Sequence, residues 1–266
     1  MGRVEYKYLV PLELLSRLRG LMMPYLETDP FALRLPDRQY TVRSLYYDTA
    51  QLQYYHEKIE GIRNRKKLRI RCYDDQQPDS VAFLEIKRKS DASVSKDRAP
   101  LYFKNLSRLM SDGEVSRHIM DLDGHEAGTD NARKFLFHIN KSGLNPVVKV
   151  VYDREAFFYK FDRTLRITFD KNLRGSLQTS PDSLFDERNM VYSLPGYFIL
   201  EIKAHGLFPV WLTYLIGQFH FQLQAISKYT ICVDAHPDMK FNSSSLLTRS
   251  KSDVHKINHL RKEILI

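Results

Sequence analysis

Cysteine is nearly absent: the 266 residues contain two, Cys72 and Cys232. Two thiols without metal-ligand neighbours exclude a disulfide framework, and their apolar settings read as buried. The nine histidines are dispersed without ligand spacing, which argues against a zinc site. No stretch approaches the roughly 18 apolar residues of a membrane span. Even Val210-Trp-Leu-Thr-Tyr-Leu-Ile-Gly-Gln-Phe-His-Phe is broken by polar side chains. The opening Met1-Gly-Arg-Val-Glu-Tyr-Lys has no apolar signal core, and Tyr6 stands where an acylation pattern needs Ser or Thr. There is no Walker-type Gly-rich loop, no Ser/His/Asp or Cys/His constellation, no internal repeat and no strong Pro/Gly linker. A soluble, cytoplasmic chain with one substantial domain is the expectation.

Positive charge and strand-favouring aromatics are abundant. The net charge is +9, with 15 Phe and 16 Tyr against one Trp. An excess of cations favours an anionic partner: nucleic acid, acidic lipid or phosphate. Ionisable residues also recur in i, i+2 steps: Glu5/Lys7, Arg69/Arg71, Glu85/Lys87, Arg166 through Thr168 to Asp170, and Glu201/Lys203. Strand side chains alternate faces, so each set lies on one side of its strand. The positions between are largely apolar, as in Phe198-Ile-Leu-Glu-Ile-Lys. Two architectures fit: a sandwich with its charges in bulk water, or a sheet closed around a polar lumen. Paired carboxylates within a cationic majority suit a polyphosphate and its metal, which points to the lumen. Because the residues beside the cations are mainly Leu, Ile and Val, rather than the aromatics that base stacking requires, no nucleic-acid partner is expected.

Along the chain, Pro11 opens a helix whose stripe is Leu12, Leu15, Leu18 and Met22. Strands are expected at 39–48, 65–73, 81–89 and 94–103, with a polar turn making the middle two a hairpin. Helical potential at 106–110 and 131–140 flanks a Gly/Asp-rich loop at 121–130. Further strands are read at 147–158, 164–170 and 197–204, and Pro209 opens a helix to Leu223. Residues 1–241 read as one domain, and 242–266 as a polar tail or appended helix.

Eight segments occur in a telling order: Arg3-Val-Glu-Tyr-Lys-Tyr-Leu-Val, Ser44-Leu-Tyr-Tyr-Asp, Lys67-Leu-Arg-Ile-Arg-Cys-Tyr, Phe83-Leu-Glu-Ile-Lys, Tyr152-Asp-Arg-Glu-Ala-Phe, Leu165-Arg-Ile-Thr-Phe-Asp, Phe198-Ile-Leu-Glu-Ile-Lys and Ser227-Lys-Tyr. The series resembles the polyphosphate polymerase (VTC) domain of the triphosphate tunnel metalloenzyme superfamily, over residues 3–234. The resemblance implies an α+β fold: a tunnel-like antiparallel β-barrel with helices packed outside. It implies transfer of the γ-phosphoryl group of ATP to a growing polyphosphate chain, assisted by Mn²⁺ or Mg²⁺. By that likeness Lys7, Arg69, Arg71, Lys87, Arg154, Arg166 and Lys228 would line the catalytic phosphate path, with Lys96 and Arg98 as further phosphate-binding cations. Tyr152 and Ser227 would add hydroxyl hydrogen bonds. Glu201 would be the principal metal carboxylate, with Glu5 and Glu85 as secondary candidates.

These residue types suit the chemistry. Phosphoryl transfer needs in-line positioning and charge compensation more than covalent help. Arg grips two phosphate oxygens at once and Lys supplies a compact charge. The acceptor, a terminal phosphate, is already anionic and needs no general base. Three functions remain open: the polymerase, a triphosphatase or polyphosphatase on the same fold, and a non-catalytic module binding polyphosphate or inositol phosphate. Glu85/Lys87 and Glu201/Lys203 also read as simple cross-strand ion pairs, and Asp170 as a group that orients an Arg. One departure stands out: related domains usually carry a further basic residue shortly before Ser-Lys-Tyr, where this chain has Ala225. Arg63, Arg65 or Lys89 are candidates to replace it. The sequence leaves oligomeric state and a separate membrane partner open.

Overall fold

A computed structural model describes residues 3–90, 93–120, 127–177 and 179–236. Among these, ten strands form one antiparallel sheet. They are β1 (Val4–Pro11), β2 (Leu26–Thr28), β3 (Tyr40–Asp48), β4 (Arg65–Tyr73), β5 (Val81–Ser90), β6 (Ser93–Tyr102), β7 (Asn145–Tyr159), β8 (Asp162–Ser176), β9 (Val191–Tyr192) and β10 (Tyr197–Ala204). The path across the sheet is β1-β10-β8-β7-β3-β4-β5-β6, with β2 beside β7 and β9 beside β8. The expected α+β architecture is therefore present. The curl stops short of a continuous ladder, because β1 and β6 are not paired among the described residues. Side chains bridge the seam instead: Lys87 on β5 donates to Glu5 on β1 at 3.2 Å.

Alternation along the strands sorts apolar residues outward and ionic residues inward. On one outer flank, Leu68, Ile70, Leu84 and Ile86 are buried against α4 (Leu106–Asp112) and α6 (Ala127–Ser142) through Leu106, Leu109, Ala132 and Phe135. On the other, Val10, Ile167, Leu200 and Ile202 pack on Leu18 and Met22 of α1 (Leu15–Met22) and on Leu212 and Leu215 of α7 (Val210–Gln218). Leu18 and Met22 of the Leu/Met stripe are thus packing, with Leu15 half-buried beside them, whereas Leu12 is exposed in a 3-10 turn ahead of the helix.

The third cluster lies on the inner face. Val148, Val150 and Tyr152 share the side of β7 that carries Arg154, and they meet Tyr229, Cys232 and Val233 of α8 (Lys228–Asp234). This helix sits within the curl of the sheet and plugs part of it. Its fit requires a bare backbone opposite: a Cβ on Gly175 would stand 2.9 Å from Cys232 Cβ and 3.3 Å from the Lys149 carbonyl oxygen. Gly175→Ala should therefore lower stability by about 1–3 kcal/mol, through overpacking. A melting temperature equal to the parent's would contradict this.

Three boundaries differ from expectation. The helix from Pro209 ends at Gln218 rather than Leu223, because His220 adopts φ +52° and turns the chain. Leu223 then bridges to Tyr8, and the Gln224 amide donates to the Lys7 carbonyl at 2.9 Å, laying these two residues along β1. Strand β8 runs to Ser176, beyond Asp170. Residues 127–130, expected as loop, open α6, while 121–126 lie outside the described residues. The expected tail or helix at 242–266 also lies outside them. No described helix is long and apolar enough to cross a membrane.

Candidate functional site

Strand register brings the inner charges together. Lys7 stands opposite Glu201, Glu201 opposite Thr168, Arg154 opposite Asp170, Tyr46 opposite Arg69 and Arg69 opposite Glu85. Of these, Lys7, Tyr46, Arg69, Arg154 and Glu201 line a cavity of about 460 Å³. Thirteen Lys and Arg residues line it, against two carboxylates, Glu5 and Glu201.

Of the candidates from sequence, Lys7, Arg69, Arg71, Lys87, Arg154, Lys228, Tyr152, Ser227, Glu5 and Glu201 line this cavity. The remaining four are placed elsewhere. Arg166 donates to Asp29 at 2.9 Å and to the Tyr40 hydroxyl at 3.1 Å. Glu85, 1% exposed, is enclosed by Arg69 at 2.7 Å, Lys96 at 2.6 Å and Arg98 at 3.3 Å. Its carboxylate is saturated with cations, so its position fits a group that orients Arg69 better than an open metal ligand. Burial alone would raise its pKa, but Arg69, Arg71 and Lys96 outweigh burial and hold it far below the usual range. Lys96 and Arg98 serve as its partners outside the cavity lining.

Each lining group has a physical support. Arg154 makes a two-pronged contact with Asp170, at 2.6 and 2.7 Å, and Lys228 meets the same carboxylate at 2.5 Å. Asp170 thus orients an Arg, and it holds a second cation too. Both cations also lie over the Tyr152 ring, Arg154 at 5.3 Å and Lys228 at 4.7 Å from its centroid. Tyr152 therefore offers a π-face as well as a hydroxyl. Arg69 donates to the Tyr46 hydroxyl at 2.9 Å and Arg71 to Ser44 Oγ at 3.1 Å. Lys228 is fixed through its own helix: Ser227 caps α8 by accepting from the Thr230 amide, and the Tyr229 hydroxyl donates to Asp48 at 2.6 Å. Asp48 also accepts from the Thr49, Tyr54 and Tyr55 amides, which joins α8 to the start of α3 (Gln53–Ile59).

The two lining carboxylates sit among lysines. Glu201 lies 2.7 Å from Lys203, 3.7 Å from Lys7 and 3.9 Å from Lys228. Burial pushes its pKa up, and Lys203, Lys228 and Lys7 together drive it well below the ordinary carboxylate value. Glu5 is raised by burial and by the Glu201 charge, yet Lys7, Lys87 and Lys203 leave it lowered. Both are ionised at neutral pH. Among the described residues no group of three or more His, Cys, Asp or Glu is arranged to hold a metal.

Sequence reasoning passed over Lys67 and Lys58, and it left Lys203 undecided; all three line the cavity. Lys67 shares the face of Arg69 and Arg71, so extending the i, i+2 step by one would have found it. Its ammonium donates to Ser227 Oγ at 2.6 Å. Burial, then the charges of Lys7, Lys58, Lys87 and Arg69, depress its pKa well below the usual lysine value. Lys58 sits on α3 and carries no strand signal; only tertiary packing delivers it. Ala225 lines the cavity without charge, and of the suggested substitutes Arg65 and Lys89 line it while Arg63 does not.

A family model, the VTC domain, matches residues 2–236. The chain belongs to the VTC domain family. This VTC domain is 24% identical over 241 residues to vacuolar transporter chaperone complex subunit 4 of Schizosaccharomyces pombe, covering 77% of this chain and 33% of that protein. It is 24% identical over 232 residues to subunit 2 of the same complex in Saccharomyces cerevisiae, covering 79% and 26%. The VTC domain thus spans a third or less of the length of these curated relatives. Similar solved structures include HpAC1 from Hippeastrum, for which a dominant triphosphatase activity is described, at TM-score 0.49 and 13% identity, covering 88% of this chain and 96% of that one. PH1819 from Pyrococcus horikoshii aligns at TM-score 0.44 and 13% identity, covering 88% and 100%.

Proposed function

We propose that this VTC domain is an ATP–polyphosphate phosphotransferase, a polyphosphate polymerase. The observation that carries the reading is the cavity itself, with thirteen cations against two carboxylates on a sheet face shielded by helices. A ligand matching that excess must carry several negative charges in a small volume, as a linear phosphate chain does. Family membership supports the same chemistry.

In this reading the terminal oxygen of the acceptor chain attacks the γ-phosphorus of ATP. The new P–O bond forms as the bond to the β–γ bridging oxygen breaks, and ADP leaves. Arg69, Arg71 and Arg154 would hold phosphoryl oxygens in fixed directions, because each guanidinium is already clamped by Glu85, Ser44 or Asp170. Lys7, Lys87 and Lys228 would compensate charge that shifts toward the leaving oxygen.

The donor set fits a hard divalent cation arriving with phosphate, since Mg²⁺ binds through one or two carboxylates plus substrate oxygens and retained water. Glu201 and Glu5 would hold it. Thr168 Oγ1, on the residue facing Glu201 across the strands, is buried without a hydrogen-bond partner among the described residues, which suits a bound water or oxygen ligand. When bound, Mn²⁺ or Mg²⁺ would neutralise phosphate oxygens. The names of the curated relatives, subunits of a vacuolar transporter chaperone complex, support assembly of this domain with other subunits.

The test is to incubate pure protein with ATP and Mn²⁺ and to resolve the phosphate products. Long chains accompanied by ADP are the expected result. Orthophosphate alone would mark a hydrolase, and tight binding without turnover a polyanion-binding module; either outcome replaces the polymerase reading.

A further inference from the structure

Residues 204–227 contain no Lys, Arg, Asp or Glu, in a chain that is 27% charged. The stretch holds α7, whose Leu212 and Leu215 are buried, with Trp211 and Ile216 half-buried beside them. The opposite side of the helix is apolar too. Val210 is 86% exposed and Tyr214 66%, and Leu207, in the loop ahead of the helix, is 96% exposed. Thr213 and Gly217 are exposed with them, so positions 210, 213, 214 and 217 form one bare stripe at helical spacing. A helix that is apolar on every side is normally buried on every side. Here no element among the described residues covers the outer face.

Exposed apolar side chains on other helices keep cations close. Phe137 on α6 lies between Lys134 and Lys141, with the Lys141 ammonium 5.3 Å from its ring centroid, and Ile59 follows Lys58 on α3. The α7 stripe has charge only at its borders. Past the end of the helix, Arg17 of α1 lies over the Phe219 ring at 5.2 Å. At its start, Trp211 packs on Tyr159 and Tyr159 on Phe161, which is 80% exposed at the tip of the β7–β8 hairpin. That tip carries both signs: Asp162 is exposed, Lys160 donates to the Pro24 carbonyl at 2.7 Å, and Arg163 pairs with Glu27 at 3.2 Å. An apolar centre with charges confined to the rim is the anatomy of a protein–protein contact.

We propose that this stripe is a self-association surface on which a second copy of this chain docks, α7 against α7 in antiparallel sense, about a two-fold axis near Tyr214. Charge selects that occupant. Each copy carries a net charge of +9, so two copies meet at least cost where neither presents cations. In a two-fold contact a residue near the axis faces its own counterpart, and any charge there would face a like charge; the stripe has none. An acidic protein or an anionic lipid surface calls for Lys and Arg, which this face lacks. The antiparallel sense sets Val210 of one copy against Gly217 of the other. Nothing stands within 4 Å of a Cβ built on Gly217, so the bulkier side chain enters the space left by the smaller one. The same sense brings Arg17 of each copy toward Asp162 of the other. The contact is independent of what the lumen binds.

The experiment is sedimentation velocity of the whole chain over a dilution series, with the emission of Trp211, the single Trp of the chain, as a second signal. The parent should sediment as a dimer that dissociates on dilution, and the emission should change over the same range. Tyr214→Asp and Tyr214→Lys alter an exposed position and should keep the circular dichroism of the parent. Each should raise the dimer dissociation constant about a hundredfold or more, by setting like charges face to face at the axis. An equimolar mixture of the two should recover dimers, as a contact of Tyr214 with its own counterpart requires. Phe137→Asp, at an exposed apolar site on α6, should leave association unchanged. A parent that is monomeric at every concentration overturns the proposal. In that case dimers that form on removal of residues 242–266 identify the chain's own terminus as the cover, and Tyr214-dependent co-sedimentation with phosphatidylcholine vesicles identifies a lipid surface. Dimers that survive both charge variants, a mixture that fails to recover them, or equal loss of association in Phe137→Asp overturn it as well.

Discussion

Glu201→Ala will stop phosphoryl transfer while leaving the lumen able to bind phosphate. Turnover of ATP with Mn²⁺ should fall about 10²–10³-fold or more, the range seen when one group stabilising a transferring charge is removed. Binding of tripolyphosphate without metal should hold or strengthen, because removing the carboxylate frees Lys203, Lys7 and Lys228 to face the ligand. The split between turnover and binding matters. A carboxylate that merely arranged its lysines would lose both together on truncation, whereas one that holds a cation loses turnover alone. Glu201→Gln keeps the shape and removes the charge, and it should behave like the alanine variant in turnover. Parent-like product formation in either variant sinks the assignment.

Asp170→Ala should produce the largest loss of stability, about 3–5 kcal/mol, read as a drop in melting temperature or in the denaturant midpoint. The cause is uncompensated charge: Asp170 is 1% exposed and holds Arg154 and Lys228 together, so its removal strands two cations. The acid side of the stability profile carries the same information. Burial raises the Asp170 pKa, but Arg154 and Lys228 outweigh it and leave it lowered. A carboxyl whose folded value lies below its unfolded value stabilises the fold above the unfolded value, and that contribution disappears as pH falls through the folded one. The parent should therefore lose stability on acidification below the ordinary carboxylate range. Asp170→Asn should start lower and fall less steeply over that interval. Equal slopes for the two proteins would show that Asp170 does not carry this linkage.

Much of this arrangement was legible because a strand has a period of two. Lys7, Arg69, Arg71 and Glu201 could be put on the ionic faces of their strands from spacing, Arg154 was implied only by the family resemblance, and the register brings all five into one cavity. Spacing could not show how far each side chain reaches. Glu85 has the same period and the same strand neighbours as Lys87, yet it faces three cations and leaves the lining, while Lys87 stays in it. Arg166 points to the inner side but is drawn to Asp29, 137 residues away, a partner with no local signature. The helix at Lys228–Asp234 was hidden for another reason. Tyr-Thr-Ile-Cys-Val is rich in β-branched residues with modest helix propensity, and its helical state is fixed by the Ser227 cap and by the Asp48–Tyr229 hydrogen bond. Lys58 arrives from a helix, where the period of two says nothing.

The unpaired β1 and β6 leave the sheet with two free rims, which in most proteins invite another molecule to add a strand. Here one rim is occupied by the chain itself, with Leu223 and Gln224 laid against Tyr8 and Lys7. The other carries Lys96, Asp97 and Arg98, and beyond them the chain covers it again, Leu101 bridging to Ile119 and the Pro100 carbonyl accepting from the Met120 amide at 2.8 Å, while Pro100 has no amide proton to offer a newcomer. Charge along that border and a missing donor at its end oppose edge-to-edge growth. A lumen left unfastened for its ligand can thus remain monodisperse without being sewn shut.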